Sequence, residues 1–468
     1  MSGNHDIGMI GLGVMGRNLA LNMADKGFSV MGFDTDPRKV AAFNREAGAR
    51  PARGVATVEE LAASLRLPRA VMMLVPAGPP VDAVIDALSP YLQSGDLLMD
   101  GGNSYFRDTG GRARRLEARQ ISYMGIGISG GERGARSGPS IMPGGPEAGY
   151  GRVRPILEAI AARVAGEPCV AYLGPGSAGH YVKMVHNGIE YGLIQLIAES
   201  YDLMKRGLGL SNDELHEIFD EWNRSDLRAY LIEITARIFT VKDESGDRYL
   251  IDMILDEAKE KGTGKWTAQD AMELRVPFPA VDSAVVMRDL SDLRDERQEA
   301  ARLFSGPDRT LGEGKGEFLY RLKAALRAAM VIVYSQGMAQ LGEASRAYGY
   351  GLKLEDVARI WRGGCIIRSD LLDQIRQAFR REPHLKNLLL DPALGRVAAE
   401  NQDDLRHVAC AGAMHGMPTP AFAACLSYFD GYRSAWLPAN LVQAQRDYFG
   451  SHLYRRIDRE GFFHTEWE

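Results

Sequence analysis

Lys183, Asn187 and Glu190 stand at i, i+4 and i+7 of the run Lys183-Met184-Val185-His186-Asn187-Gly188-Ile189-Glu190-Tyr191. On a helix this spacing puts an amine, an amide and a carboxyl on one face, with His186 and Tyr191 at its borders. Val182, Val185, Ile189, Leu193 and Leu196 make the opposite, apolar face. An amine beside a carboxyl offers two proton carriers, one to accept and one to donate. The competing reading is an exposed Lys→Glu pair on a solvated helix.

A second group of residues suits a dinucleotide. Residues 6–10 read as a short buried strand, 17–24 as a helix and 28–33 as a second strand. Gly11-Leu12-Gly13-Val14-Met15-Gly16 joins the first two. In this G-x-G-x-x-G, Gly11 permits the tight turn, Gly13 lets backbone approach a pyrophosphate, and Gly16 allows close helix–strand packing. The helix N-terminus adds free N–H groups and the positive end of a dipole. Phe33-Asp34-Thr35 closes the second strand. Asp34 can accept hydrogen bonds from both adenosine ribose hydroxyls and would repel a 2′-phosphate, which favours NAD over NADP. Alternatively Asp34 is a helix cap before Pro37, a role that Asp36 could take instead.

These groups need a scaffold. Further strand candidates at 70–75, 97–100, 121–125 and 169–173 alternate with helical segments, the pattern of a parallel, doubly wound sheet. In such sheets ligands bind beyond the carboxyl ends of strands. Asp100-Gly101-Gly102-Asn103-Ser104 and Ile128-Ser129-Gly130-Gly131 follow two of them. Ser129 and the amides of Gly130 and Gly131 could cradle a carboxylate, although either loop alone also reads as a plain turn. From Ser177 helical periodicity dominates to about residue 434. Lys261-Gly262-Thr263-Gly264-Lys265-Trp266 lacks P-loop spacing, yet Lys261 and Thr263 could bind a phosphate, with Arg288 and Arg446 adding charge. Singly, each of these reads as a surface cation. The end of the chain carries a short helix, then Arg446, Tyr448, Phe449, Gly450 and His452, then Phe462, Phe463 and Trp467; such an aromatic terminus docks on something. The expected plan is an α/β Rossmann-like domain over 1–176, an all-helical domain over 177–434 and a tail over 435–468.

The 468 residues, 45% hydrophobic and 25% charged, fit a soluble protein of two or three domains. A formal net charge of -5 leaves no overall footprint for nucleic acid. The basic run from Arg112 to Arg119 reads as a solvated helix face. Cys169, Cys365, Cys410 and Cys425 form no C-x-x-C pair, and His407, Cys410 and His415 fall short of a zinc-ligand cluster. A reducing compartment and no metal are therefore expected. No basic-then-apolar leader and no bilayer-length apolar run are visible, so a cytoplasmic protein without a membrane partner is expected.

Together these segments resemble the decarboxylating 6-phosphogluconate dehydrogenases over essentially the whole chain. The resemblance rests on Ile10–Gly16, Asp100–Ser104, Gly127–Glu132, Lys183–Tyr191, Lys261–Thr267, Trp361–Arg368 and Gln443–Gly450. It implies that Lys183 is the general base and Glu190 the general acid. It implies that Ser129, Gly130 and Gly131 hold the sugar-acid end, with Asn103, His186 and Asn187 on its hydroxyls. Tyr191, Lys261, Thr263, Arg288 and Arg446 match phosphate and distal contacts, and His452 matches a further substrate ligand. Arg446 and His452 would come from the partner subunit of a homodimer whose tail crosses to the other chain. The dinucleotide would lie on Gly11, Leu12, Gly13, Val14, Met15, Gly16, Phe33, Asp34, Thr35, Val75, Pro76, Ala77 and Asn103.

Two segments depart from the family pattern. NADP-using members typically carry Asn-Arg-Thr or Asn-Arg-Ser where this chain has Phe33-Asp34-Thr35, and Val-Lys-Ala-Gly where it has Val75-Pro76-Ala77-Gly78. Both changes remove positive charge near the adenosine, so NAD is the expected preference and NADP the alternative. The implied reaction takes 6-phosphogluconate through a β-keto acid to ribulose 5-phosphate and CO2, without a metal. Three competing readings remain at this stage. A β-hydroxyacid dehydrogenase for short acids would not need Lys261, Thr263, Arg288 and Arg446. A nucleotide-sugar dehydrogenase would need a cysteine thiolate. A non-catalytic dinucleotide-binding protein would not need both Lys183 and Glu190.

Overall fold

The structure, a computed structural model, describes residues 5–468. Residues 1–4, the start of the expected first domain and of the segment read as carrying no leader, lie outside the described residues. Seven strands form one sheet: β1 Ile7–Ile10, β2 Val30–Phe33, β3 Ala52–Gly54, β4 Ala70–Met73, β5 Leu97–Asp100, β6 Ser122–Ser129 and β7 Ser140–Gly144. Their order is β3-β2-β1-β4-β5-β6-β7, and all neighbours are parallel except β6 and β7. β1, β4 and β5 are buried at every residue, because helices cover both faces of the sheet. One face packs Leu19, Met23, Phe43 and Leu157 against it, the other Leu61, Val81, Ile85 and Leu116. Strand order reverses between β1 and β4, which opens the ligand crevice beside the glycine-rich turn.

Two elements differ from the sequence expectation. β6 runs to Ser129 rather than ending near Gly125, because β7 pairs antiparallel with its second half, from Gly125↔Gly144 to Ser129↔Ser140. Ser129 is therefore the last residue of a strand, not the middle of a turn. Residues 169–173 form no strand of the sheet. They lie along β7 with one parallel bridge, Ile141 to Val170, and Ile141 N donates to Cys169 O while Leu173 N donates to Pro143 O. Pro143 has no N–H to return, so a regular ladder cannot form.

Beyond residue 177 the described structure is helical. The site helix, Ala178–Asp202, is buried on almost every side and continues into a π-helical turn, Leu203–Gly207. The 33-residue helix Lys315–Ala347 packs along it. The contact is close because Gly337 has no side chain; a Cβ there would come 2.4 Å from Ile189. The basic run is not simply solvated, since Arg112 is buried and forks onto Asp82 at 3.0 and 2.7 Å. The chain ends in the tail helix, Ala439–Gly450, and an extended segment with a bridge between Tyr454 and Phe463. Among the described residues no helix is long and apolar enough to cross a membrane.

Candidate active site

The site begins where β6 meets the site helix. Gly127 lies so close to Lys183 that a Cβ on it would stand 2.4 Å from the lysine Cβ. Lys183 is 6% exposed, and its Nζ donates to Asn187 Oδ1 at 2.8 Å. The same oxygen lies 3.0 Å from His186 Nδ1, while His186 Nε2 lies 3.3 Å from Ser129 Oγ. The amide oxygen can only accept, so Nδ1 carries the proton and Nε2 accepts from the Ser129 hydroxyl. Asn187 Nδ2 in turn donates to Thr263 Oγ1 at 3.2 Å. One amide thus aims the lysine, fixes the histidine tautomer and joins both to the next element. Glu190 follows on the same face, its Oε2 4.0 Å from His186 Nδ1.

Burial decides the charges. It lowers the pKa of Lys183, against the neighbouring Glu190 carboxyl, which raises it. It raises the pKa of Glu190, against Lys183 and Arg288, which lower it. His186 falls well below the usual imidazole range, through burial and then through Lys183. The amine therefore leans towards its neutral form and the carboxyl towards its protonated form, the states a base and an acid need. A solvated surface pair would show neither tendency, so the bland reading of this helix is wrong.

The loop 363–368, part of the family-like segment Trp361–Arg368 but given no role by its sequence, forms the back wall. Gly130, at φ 118, presses against it; a Cβ there would come 2.6 Å from Gly364 O. Ile366 N donates to Ser129 Oγ at 3.4 Å, and the Trp361 ring meets His186 edge-on at 5.5 Å. Cys365 is no thiolate, since burial pushes its pKa up to about 12, and Cys169 is likewise raised by burial. That removes the nucleophile a nucleotide-sugar dehydrogenase requires.

At the other end, Arg288 lies 3.4 Å above the Tyr191 ring. Thr263 and Lys261 stand at the start of the helix Thr263–Glu273, Thr263 buried and Lys261 exposed. Asp270 holds that helix to the site helix, accepting from Tyr181 OH at 2.6 Å and Tyr348 OH at 2.8 Å. Asn103 projects from a loop shaped by buried Asp100, which accepts from Gly102 N at 3.0 Å and Ser104 Oγ at 2.6 Å. Asp270 could not be singled out from spacing, because its partners are distant in sequence.

The glycine-rich turn fits a dinucleotide. Gly11 has φ 93, and a Cβ on it would meet Leu74 O at 2.3 Å; a Cβ on Gly16 would meet Gly11 O at 1.9 Å. A Cβ on Gly13 would meet nothing within 4 Å, which leaves room for phosphate at the N-terminus of helix Val14–Asp25. Phe33, Asp34 and Thr35 line a cleft with Val40, Asn44 and Arg53. Asp34 accepts from Leu12 N at 2.8 Å and Asp36 N at 2.9 Å, with Lys39 Nζ 3.5 Å away. Asp36, not Asp34, caps the following helix through Arg38 N. Val75, Pro76 and Ala77 make the turn from β4 into helix Pro79–Leu88.

Arg446 and His452 are not brought to this cluster. Both are exposed on the tail, and among the described residues no hydrogen bond or ion pair joins 439–468 to the rest of the chain beyond Pro438.

Comparison with known proteins covers nearly the whole chain. Residues 6–174 match the family described as the NAD binding domain of 6-phosphogluconate dehydrogenase, and residues 179–467 match 6-phosphogluconate dehydrogenase, C-terminal domain. The chain is 50% identical to the NADP(+)-dependent, decarboxylating 6-phosphogluconate dehydrogenase of Bacillus subtilis, over 98% of each chain. It is 49% identical to the decarboxylating 6-phosphogluconate dehydrogenase of Escherichia coli, again over 98% of each. The solved Plasmodium falciparum 6-phosphogluconate dehydrogenase, described apo, with its cofactor NADP+ and with its substrate 6-phosphogluconate, superposes with a TM-score of 0.95. It is 44% identical, and the match covers 99% of this chain and 100% of that one. With both halves matched in order and at this identity, the chain belongs to the decarboxylating 6-phosphogluconate dehydrogenases, a family of nicotinamide-dinucleotide oxidoreductases.

Proposed function

We propose that the protein oxidises and decarboxylates 6-phosphogluconate to ribulose 5-phosphate and CO2 in the cytoplasm, with Lys183 as base and Glu190 as acid. The observation that carries this reading is the Lys183–Asn187–Glu190 face, its lysine buried and its amide and carboxyl half-buried, whose lysine leans neutral and whose carboxyl leans protonated. In this division of labour residues 1–176 hold the dinucleotide, 177–434 the substrate and the pairing surface, and 435–468 reach the partner of a homodimer.

A bound nicotinamide ring supplies the acceptor for the hydride leaving C3. Neutral Lys183 takes the proton of the C3 hydroxyl. The resulting ammonium then donates a hydrogen bond to the new ketone oxygen, which stabilises the enolate formed as the C1–C2 bond breaks and CO2 leaves. Lys183 protonates that oxygen to give the enol, then takes the enol hydroxyl proton back as Glu190 delivers a proton to the carbon that lost CO2, yielding the ketose. Asn187 keeps the lysine aimed throughout. Ser129, Gly130 and Gly131 bind the carboxylate end, and Asn103 and His186 its hydroxyls. Tyr191, Lys261, Thr263 and Arg288 bind the far end, joined by Arg446 and His452 of the second chain.

For the dinucleotide we propose a preference for NAD, because the Asp34 carboxylate stands where a 2′-phosphate would need a cation and Pro76 adds no charge. Relatives named or solved with NADP speak for the opposite choice, and kcat/KM with each dinucleotide decides between them. The reaction itself is tested by measuring reduced dinucleotide, CO2 and ribulose 5-phosphate from 6-phosphogluconate. Equal amounts of the three are expected; oxidation without CO2, or no turnover, would sink the proposal.

A further inference from the structure

Asp447 is the most heavily bonded carboxylate of the tail. It sits on the tail helix beside Arg446, with 0% of its surface exposed. Oδ1 accepts from Leu453 N at 3.0 Å and lies 3.1 Å from His464 Nδ1. Oδ2 accepts from Thr465 N at 3.1 Å and Trp467 Nε1 at 3.0 Å. Burial alone would raise its pKa, but these bonds hold it at about 2, so the group is ionised at neutral pH.

The turn gathered by this carboxylate carries His452. Ser451 and Leu453 on either side of it are both left-handed, at φ 48 and φ 59. Non-glycine residues adopt that region at a cost and keep it only where surrounding bonds over-determine it. Here the bonds are Leu453 N to Asp447 and Ser451 N to Asp447 O at 2.9 Å. Gln443, one turn earlier on the helix, donates to Leu453 O and accepts from Arg446 at 3.2 Å. Gly450 leaves room for the imidazole, since a Cβ on it would lie 2.7 Å from His452 Nε2. Every one of these contacts lies within the tail, so the turn is set before any partner is met.

We infer that Asp447 is a positioning residue that, with Gln443 and Gly450, locks the strained turn so that Arg446 and His452 reach the neighbouring site as one prefolded unit. This rests on the proposal that those two side chains bind substrate across the dimer. The binding cost of ordering the turn is then met within one chain, not at the moment of substrate capture.

The test compares steady-state kinetics of the full-length enzyme and its Asp447→Asn, Gly450→Ala, Arg446→Ala and His452→Ala variants, with dimer mass followed by sedimentation. Asp447→Asn is expected to raise KM for 6-phosphogluconate at least about tenfold, a loss typical of misplaced binding groups, while KM for the dinucleotide stays unchanged. Gly450→Ala leaves the hub intact and should raise the same KM by crowding His452. Adding His452→Ala to Asp447→Asn should cost less than His452→Ala alone, because the two act through one contact; a merely structural role would give multiplicative effects. Unchanged KM in Arg446→Ala and His452→Ala would remove the shared-site reading beneath the inference. A raised KM in those two with a normal value in Asp447→Asn, or multiplicative effects in the double variant, would overturn the inference alone. Should Asp447→Asn not assemble, normal substrate KM in both Gly450→Ala and Gln443→Ala would overturn it equally.

Discussion

The site helix and the tail each present polar groups that the proposed chemistry needs, but they are built in opposite ways. Along the site helix, Lys183, His186 and Asn187 are enclosed by their own chain and satisfy one another. On the tail, Arg446 and His452 face outward, and so do large apolar side chains, among them Phe449 at 73% and Ile457 at 88% exposure. Only the hub carboxylate, Asp447, is enclosed. Leu441, Tyr448, Phe449 and Trp467 line one hollow of the tail, and an exposed apolar surface suits contact with another molecule. On the body, Val286, Leu290, Leu293 and Phe304 are likewise exposed. The difference teaches that the polar groups of the site helix find their partners within one chain, whereas among the described residues Arg446 and His452 meet none outside the tail.

The first way to break this comparison is Lys183→Met. It should lower turnover by at least about a hundredfold, the usual loss for a positioned base. Titration of the dinucleotide should be unchanged, since the glycine-rich turn lies apart from the lysine. Near-normal turnover would remove the site helix from the chemistry.

A complementation experiment sharpens the contrast directly. Lys183→Met and Arg446→Ala homodimers, each nearly inactive, are mixed and allowed to exchange subunits. In a mixed dimer one site carries both lesions and the other neither. Activity should return to about a quarter of wild type for random exchange of equal pools. Verified mixed dimers that stay inactive would mean that Arg446 serves its own chain or none.

Glu190→Gln tests the charge states within the site helix. Lys183 must be neutral, so activity rises as pH increases through the acid limb. Glu190 must be protonated, and its raised pKa brings the alkaline fall to a higher pH than an ordinary carboxyl would. The two groups titrate as a coupled pair. Glu190→Gln should lower kcat by roughly a hundredfold or more and abolish the alkaline fall while keeping the acid limb. An unaltered bell-shaped profile would assign the acid role elsewhere.

The smallest effect concerns the dinucleotide. Asp34→Arg should shift the kcat/KM ratio towards NADP. It also removes the acceptor of Leu12 N and Asp36 N, so the melting temperature should fall, each lost hydrogen bond costing about 1 kcal/mol. A shift in ratio without any loss of stability would mean that these two bonds contribute nothing.

Local order along the chain was enough for several elements. Strand, glycine-rich turn and helix at 7–25 follow from adjacent residues, because the glycine spacing, the strand pattern before it and the helical pattern after it all lie within one short segment. The Lys183/Asn187/Glu190 stripe follows from helical period alone, and so does the change from alternating strands to helices near residue 177. What the spacing could not decide was whether that stripe faced water. Only packing against Gly127 and Thr263 encloses it, and only burial moves the lysine and the carboxyl towards the states catalysis needs. The same limit explains the strand that 169–173 did not form and the extension of β6 by an antiparallel β7. Each depends on a partner brought from elsewhere, and on whether that partner has an N–H to give. In the tail, Arg446 and His452 were legible through likeness to a family, but the carboxylate between them was not. Its meaning lies in four donors from residues 453, 464, 465 and 467, which only the folded chain collects around one side chain.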